Sequence, residues 1–382
     1  MKKKVLAILM CAVLALSMVA CGGSKEEPAT EPAATEDAAA TETPAAEGKD
    51  YHFEIIVKSF QSTYWQAAVK GVEQACAEQG VTANCNGPAT ESDIADQVQM
   101  LNDAIAKAPN GIGLAACDTN SVLDSLQKAL DAGIPVVCFD TGVTDAPAGS
   151  VVATVATDNA AAGACAAENI YPVIKDVVAK ATTDAKVRIG EVNQDATAQN
   201  IQQRGLGFID KMIELVKADG KTVAVSGNEF YVNAATGADG DAASADVVIE
   251  VAVPAQTTVE LCSTAAQAIL SKENTIAIFG SNQTAAEGVL SANANLNVLG
   301  SDAAAGDVIG VGFDAGSIIK AAVTDGTFLG AVTQSPLMMG YYAIYALTAA
   351  ANGQELVDVP TEGYWYDVNN INDETIAPNL YD

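Results

Sequence analysis

The stretch IPVVCFDTG, residues 134–142, is an apolar run broken only by Pro135, which ends in an acid, Asp140, and turns at Gly142. A strand covered by helices on both faces reads this way, because neither face needs polar side chains. In an open α/β sheet the carboxylate then emerges at the strand's carboxyl end, where the ligand crevice lies. The pattern returns in VIGVGFDAG, residues 308–316, with Asp314 in the same Phe-Asp-x-Gly setting. Taken singly, either acid could do no more than cap the turn that follows. Taken together, two buried strands that each deliver an acid to the tip imply two α/β lobes facing one another across a cleft.

The chain has 382 residues, enough for two domains, and a formal charge of -29. So acidic a surface repels phosphate backbones and anionic lipid, which argues against nucleic acid as a partner. Residues 1–20 carry Lys2, Lys3 and Lys4, then an apolar run up to Ala20. They read as a secretory signal, too short for a membrane span. Met-Val-Ala-Cys at 18–21 resembles a bacterial lipobox, which implies a diacylglyceryl thioether on Cys21 and a protein held at the extracellular face of the cell membrane. Residues 21–50, rich in Glu, Ala, Thr and Pro, are expected to form a disordered linker. Six further cysteines fit neither a zinc motif nor a Cys-x-x-Cys pair and read as small buried hydrophobes.

From Phe53 onward strands and helices alternate, which predicts parallel sheets and doubly wound topology. FEIIVK should be a strand ending at Lys58, followed by a helix to about Gln79. Thr90 and Asp93 have the spacing of a capping box for a helix with the stripe Ile94, Val98, Leu101 and Ile105. Asp158 should cap the helix that begins at the change of lobe. Residues 221–246, with no clear period, read as a surface hairpin or loop.

Enzyme chemistry is poorly supplied. The mature chain has one histidine, His52, placed before the first strand, and no GxxxxGK[ST] loop. The two G-x-G-x-x-A matches, at 111–116 and 310–315, fall within or at the end of strands, whereas a dinucleotide fingerprint opens a helix. No cofactor or metal is expected, and the chain reads as a binder. Asp140 and Asp314 can each accept two hydrogen bonds from adjacent hydroxyls, while Asn282 and Gln334 offer a donor and an acceptor each. Tyr64 and Trp65 present flat apolar faces, either to a sugar ring or to the core. Lys58 could donate to a hydroxyl, pair with Asp140, or end its strand in solvent.

VKSFQSTYW, NGPATESDIADQVQMLNDAI, IPVVCFDTG, ATDNAAAG, QQRGLGF, GSNQTAAEG, VGFDAG and AVTQSP together resemble the periplasmic-binding-protein-like (type 1) sugar receptors of ABC importers, in particular the ribose-binding-protein and autoinducer-two-receptor group. The resemblance implies two doubly wound lobes, 51–157 plus 335–362 and 158–334 plus 363–382, joined by a three-crossing hinge that closes on ligand. It implies ring-stacking roles for Tyr64 and Trp65 and hydroxyl-binding roles for Asp140, Asn282, Asp314 and Gln334. The ribose receptor has arginines where this chain has Thr141 and Gln202, and an aromatic where it has Ala255, so another ligand is expected in contact with Thr141 and Gln202. Lys58 stands where the autoinducer-two and rhamnose-type receptors place a lysine. The implied protein is a monomeric lipoprotein that hands a small carbohydrate or polyol to an ABC permease and ATPase. The alternative is a sensory receptor for such a ligand, feeding a kinase or chemoreceptor. On either reading, Asp140→Ala or Asp314→Ala should abolish binding and leave the unfolding midpoint nearly unchanged.

Overall fold

The computed structural model of the chain describes residues 50–381, so the signal sequence, Cys21 and the linker up to residue 49 lie outside the described residues. Two sheets dominate. The first has six parallel strands, in the order β12 (Val359–Thr361), β5 (Val151–Thr157), β4 (Val136–Phe139), β3 (Gly111–Leu114), β1 (His52–Ile56) and β2 (Thr82–Asn86). The second has seven, in the order β13 (Tyr364–Tyr366), β11 (Phe328–Thr333), β10 (Ile309–Phe313), β9 (Thr275–Gly280), β6 (Val187–Val192), β8 (Val247–Ala252) and β7 (Val223–Gly227). There only β13 runs antiparallel.

The helices between strands are α1 (Thr63–Gln79), α2 (Ile94–Ala106), α3 (Leu123–Asp131), α4 (Asn159–Val178), α5 (Gln199–Ala218), α6 (Glu229–Ala234), α7 (Val259–Leu270), α8 (Gln283–Leu296), α9 (Ser317–Thr324) and α10 (Pro336–Ala351). The chain passes between the sheets three times, after β5, after β11 and after β12, which is the type 1 arrangement. At the first crossing the Asp158 carboxylate accepts the Ala161 N–H at 3.1 Å and caps α4, as the sequence suggests. Every residue of β3, β4 and β10 is buried, as strands covered on both faces require.

Each lobe has a close helix pair in which glycines of both helices meet the partner's backbone. In the first, Gly71 of α1 lies against the Leu337 carbonyl of α10, and Gly340 of α10 lies against the Ala68 carbonyl of α1. In the second, Gly163 of α4 meets the Arg204 carbonyl of α5, and Gly207 of α5 meets the Ala160 carbonyl of α4. A Cβ at any of the four would overlap a backbone oxygen. One helix of each pair, α4 or α10, starts at a crossing, and the other, α1 or α5, carries side chains to the cleft.

Three local expectations need correction. Residues 221–246 are not a hairpin: Val223, Ala224 and Val225 are buried in β7, which pairs in parallel with β8 and is followed by α6. Three apolar residues among Gly, Ala and Asp were too short a run to show a period. Asp93 does reach back to the Thr90 N–H, at 2.9 Å, but it also takes the Thr90 hydroxyl, and α2 begins only at Ile94, so the pair closes a loop ahead of the helix. The six cysteines are unpaired, but only Cys117, Cys138 and Cys262 are buried, while Cys76, Cys85 and Cys165 are half-buried. Burial holds the Cys138 and Cys262 thiols up at about 12. Among the described residues no helix is long and apolar enough to cross a membrane.

Candidate functional site

Asp140 and Asp314 leave their strands in the same way. Both sit in the left-handed region, with φ of 62° and 73°, which Asp tolerates better than most side chains. Each donates its backbone N–H, at 2.8 Å, to a carbonyl of the next strand, Val155 on β5 and Val332 on β11. The repeated Phe-Asp-x-Gly pattern therefore encodes one turn used twice. Both side chains are 4% exposed, and both line one cavity. With them lie Lys58, Tyr64, Trp65, Asn282 and Gln334. Seven of the nine expected binding residues thus converge from elements of both sheets.

Around Asp140 the hydrogen bonding is dense. One oxygen accepts the Tyr64 hydroxyl at 2.6 Å. The other faces Lys58 Nζ at 3.0 Å, Asn200 Nδ2 at 3.0 Å and the Thr141 hydroxyl at 2.9 Å. Lys58, only 1% exposed, also donates to Asn200 Oδ1 at 3.2 Å. The lysine therefore pairs with Asp140 and is not a solvated strand end. Burial raises the Asp140 pKa, but Lys58 and Tyr64 outweigh it and hold the carboxyl below the usual range. For Lys58, burial works against the charge, and the surrounding acids, Asp140 first, keep it above the ordinary value.

Asp314 is less fully engaged. It accepts Gln334 Nε2 and the Gln283 N–H, both at 2.8 Å. Burial lifts its pKa despite Arg204 nearby. Arg204, 1% exposed, lies 3.6 Å over the Phe313 ring and donates to the Ser281 carbonyl at 2.8 Å and Asn159 Oδ1 at 2.7 Å. Gln334 accepts the Thr157 hydroxyl at 2.9 Å, so the ends of β5 and β11 meet beside the site.

Trp65 reaches both the core and the cavity. It packs in the first lobe's core beside Phe139, lines the cavity, and donates its indole N–H to Glu91 at 2.7 Å. Tyr64 also packs in that core and meets Trp65 edge-on at 4.8 Å. Asn282 has less to offer than its amide suggests: its oxygen accepts the Ala285 N–H and caps α8, so only the Nδ2 donor faces the cavity, where it meets Gln194.

Two expected residues do not line the cavity. Thr141, fully buried, turns its hydroxyl to Asp140 and Asn200 at 2.9 and 2.8 Å, behind the acid. Gln202 folds back onto the Ala196 carbonyl at 2.7 Å. On α5 it lies about 200° around the helix from Asn200, so the inner face presents Asn200, Ile201 and Arg204 instead. Asn200, Gln194 and Glu91 were missed altogether. The i, i+4 spacing of Asn200 and Arg204 was the available signal, since a helix entering the cleft must present one face. Glu91, whose pKa burial raises, sits where a loop acid is ordinarily exposed, and nothing in its neighbours along the chain marks it.

The space left among these side chains is about 30 Å³, room for one or two water-sized groups and far below the ~300–1,000 Å³ of ligand pockets. The lobes touch across it. Besides Asn200, Gln194 Nε2 donates to Glu91 at 2.7 Å, and the Thr257 N–H donates to the Ser92 hydroxyl at 2.7 Å. A set of buried hydroxyls, amides and carboxylates with two cations suits a ligand that both donates and accepts hydrogen bonds. Among the described residues no cluster of His, Cys, Asp and Glu could hold a metal ion.

Comparison with known proteins places this geometry in context. The pattern of the family described as periplasmic binding protein domain matches residues 53–355. A solved structure described as an ABC transporter, LacI family transcriptional regulator, from Brachyspira murdochii is 30% identical, with a TM-score of 0.72 over 87% of this chain and 99% of that one. An ABC transporter solute-binding protein from Agrobacterium vitis, solved with bound D-fucose, is 26% identical, with a TM-score of 0.70 over 86% of this chain and 100% of the other. The D-allose-binding periplasmic protein of Escherichia coli (strain K12) is 27% identical over 116 residues, which span 29% of this chain and 37% of that protein.

Proposed function

Because the chain belongs to the periplasmic binding protein domain family, we propose that it is an extracytoplasmic solute-binding protein that captures a sugar or sugar-like polyol for an ABC transporter. The observation that carries this reading is that Asp140 and Asp314, each at the tip of a strand in a different sheet, line the same cavity with Tyr64, Trp65 and Lys58. In this reading the lobes are 51–157 plus 335–362 and 158–334 plus 363–382, and they part to admit the ligand. Adjacent hydroxyls then take the place of Asn200 on Asp140, whose bonds to Tyr64 and Lys58 remain, and bind the freer oxygens of Asp314. Each such charge-assisted bond contributes roughly 1.5–3 kcal/mol. Trp65 covers the C–H face of the ring. The protein binds and does no chemistry. It acts as a monomer tethered through a lipid on Cys21, and its partners are a membrane permease and its ATPase.

A thermal-shift screen with D-fucose, D-allose, D-arabinose, inositols and furanosyl signals tests the reading. At least one should raise the unfolding midpoint of wild type, and Asp314→Ala should lose that response. A panel with no response, or an Asp314→Ala variant that responds as wild type does, would overturn it.

A further inference from the structure

The stretch after β13 returns to the cleft. Its short 3-10 turn, Ala377–Asn379, is fixed to the second lobe, where Ile376 is buried and the Asn379 carbonyl accepts the Thr333 hydroxyl at 2.8 Å. From this base Tyr381 packs against the cores of both lobes. Its ring meets Tyr64 edge-on at 5.7 Å, and its hydroxyl accepts the Ala315 N–H at 3.2 Å. These two contacts adjoin the two acids, because Tyr64 donates to Asp140 and Ala315 follows Asp314 in the chain. Tyr381 is absent from the cavity wall.

We propose that Tyr381 is a positioning residue that latches the cleft: it steadies Tyr64 against Asp140 and ties it to the Asp314 turn, so that it favours the apposed lobes whatever ligand lies between them. The contact with Tyr64 exists only when the lobes meet, because Tyr381 is anchored on one and Tyr64 stands on the other. A residue of this kind stabilises the lobes closed on a ligand relative to the open form that admits it, and apparent affinity scales with that preference. It should therefore act equally on every ligand, whereas a residue touching the ligand would change their order of preference.

The inference rests on the proposed sugar-binding reading, but its test does not rest on that alone. Wild type, Tyr381→Ala and Tyr381→Phe are compared by titration calorimetry with D-fucose, D-allose and D-arabinose, and by small-angle X-ray scattering without sugar. Tyr381→Ala should bind each sugar that wild type binds about 3- to 10-fold more weakly, by one common factor, and should have a larger radius of gyration without sugar. Tyr381→Phe, which keeps the ring on Tyr64, should recover most of both. If the alanine variant fails to fold, Tyr381→Leu carries the same two measurements. An unchanged radius of gyration, unchanged affinities, or factors that differ widely between sugars would each overturn the latch. If wild type binds none of the sugars, the sugar-binding reading fails on its own and the scattering comparison still decides the latch.

Discussion

Lys58 and Asp140 meet at 3.0 Å with 1% and 4% of their side chains exposed, so each is the reason the other can be charged there. Breaking a buried pair from one side leaves the partner uncompensated, at a cost of about 3–5 kcal/mol. Asp140→Ala should therefore lower the unfolding midpoint as well as abolish binding, contrary to the sequence expectation of an unchanged midpoint. Lys58→Met in the same background should restore most of the stability and none of the binding. Thermal denaturation of the two single variants and the double variant checks this, and an Asp140→Ala midpoint equal to that of wild type would contradict it. Asp314 is under no such constraint, since its partners are a neutral amide and a backbone N–H. The contrast also shows why the two acids were legible from sequence and most of their partners were not. A strand tip with Phe-Asp-x-Gly announces where its carboxylate goes. Of its partners, Lys58 was one of the sequence alternatives; nothing along the chain says that Tyr64 and Asn200 will bond to it, because each arrives from a separate element.

At the scale of elements, the strands that carry the site were readable because they are buried on both faces and so nearly free of polar residues. Apart from α6, the helices were readable from their apolar stripes. What failed was facing. Gln202 was placed in the pocket by correspondence along the chain, and helical periodicity turns it away and brings Asn200 and Arg204 in. β7 failed for a different reason, since an edge strand of three buried residues carries too little pattern. The reciprocal glycine contacts were not legible either, because a close approach of helices is a property of the pair. They make a sharp prediction. Gly207→Ala puts a methyl group against the Ala160 carbonyl, so α4 and α5 must separate, at a cost of about 1–3 kcal/mol. Chemical denaturation should show that loss, and a variant as stable as wild type would mean that the helices can part freely.

For the whole molecule, the two sheets are copies of one plan. Each has a crossing-proximal helix packed through glycines on a cleft-facing helix, and each has a central strand that ends in an acid at positive φ. The cleft between them holds about 30 Å³ when the lobes touch, which is why a sugar must enter through their separation and be held by contacts from both sides. The central claim is that one ligand bridges the two acids. A crystal structure of wild type with the sugar that gives the largest thermal shift tests it most directly. Asp140 and Asp314 should each lie within about 3 Å of hydroxyls on the same sugar molecule. A sugar held by one carboxylate alone, or seated outside the cleft, would contradict the account.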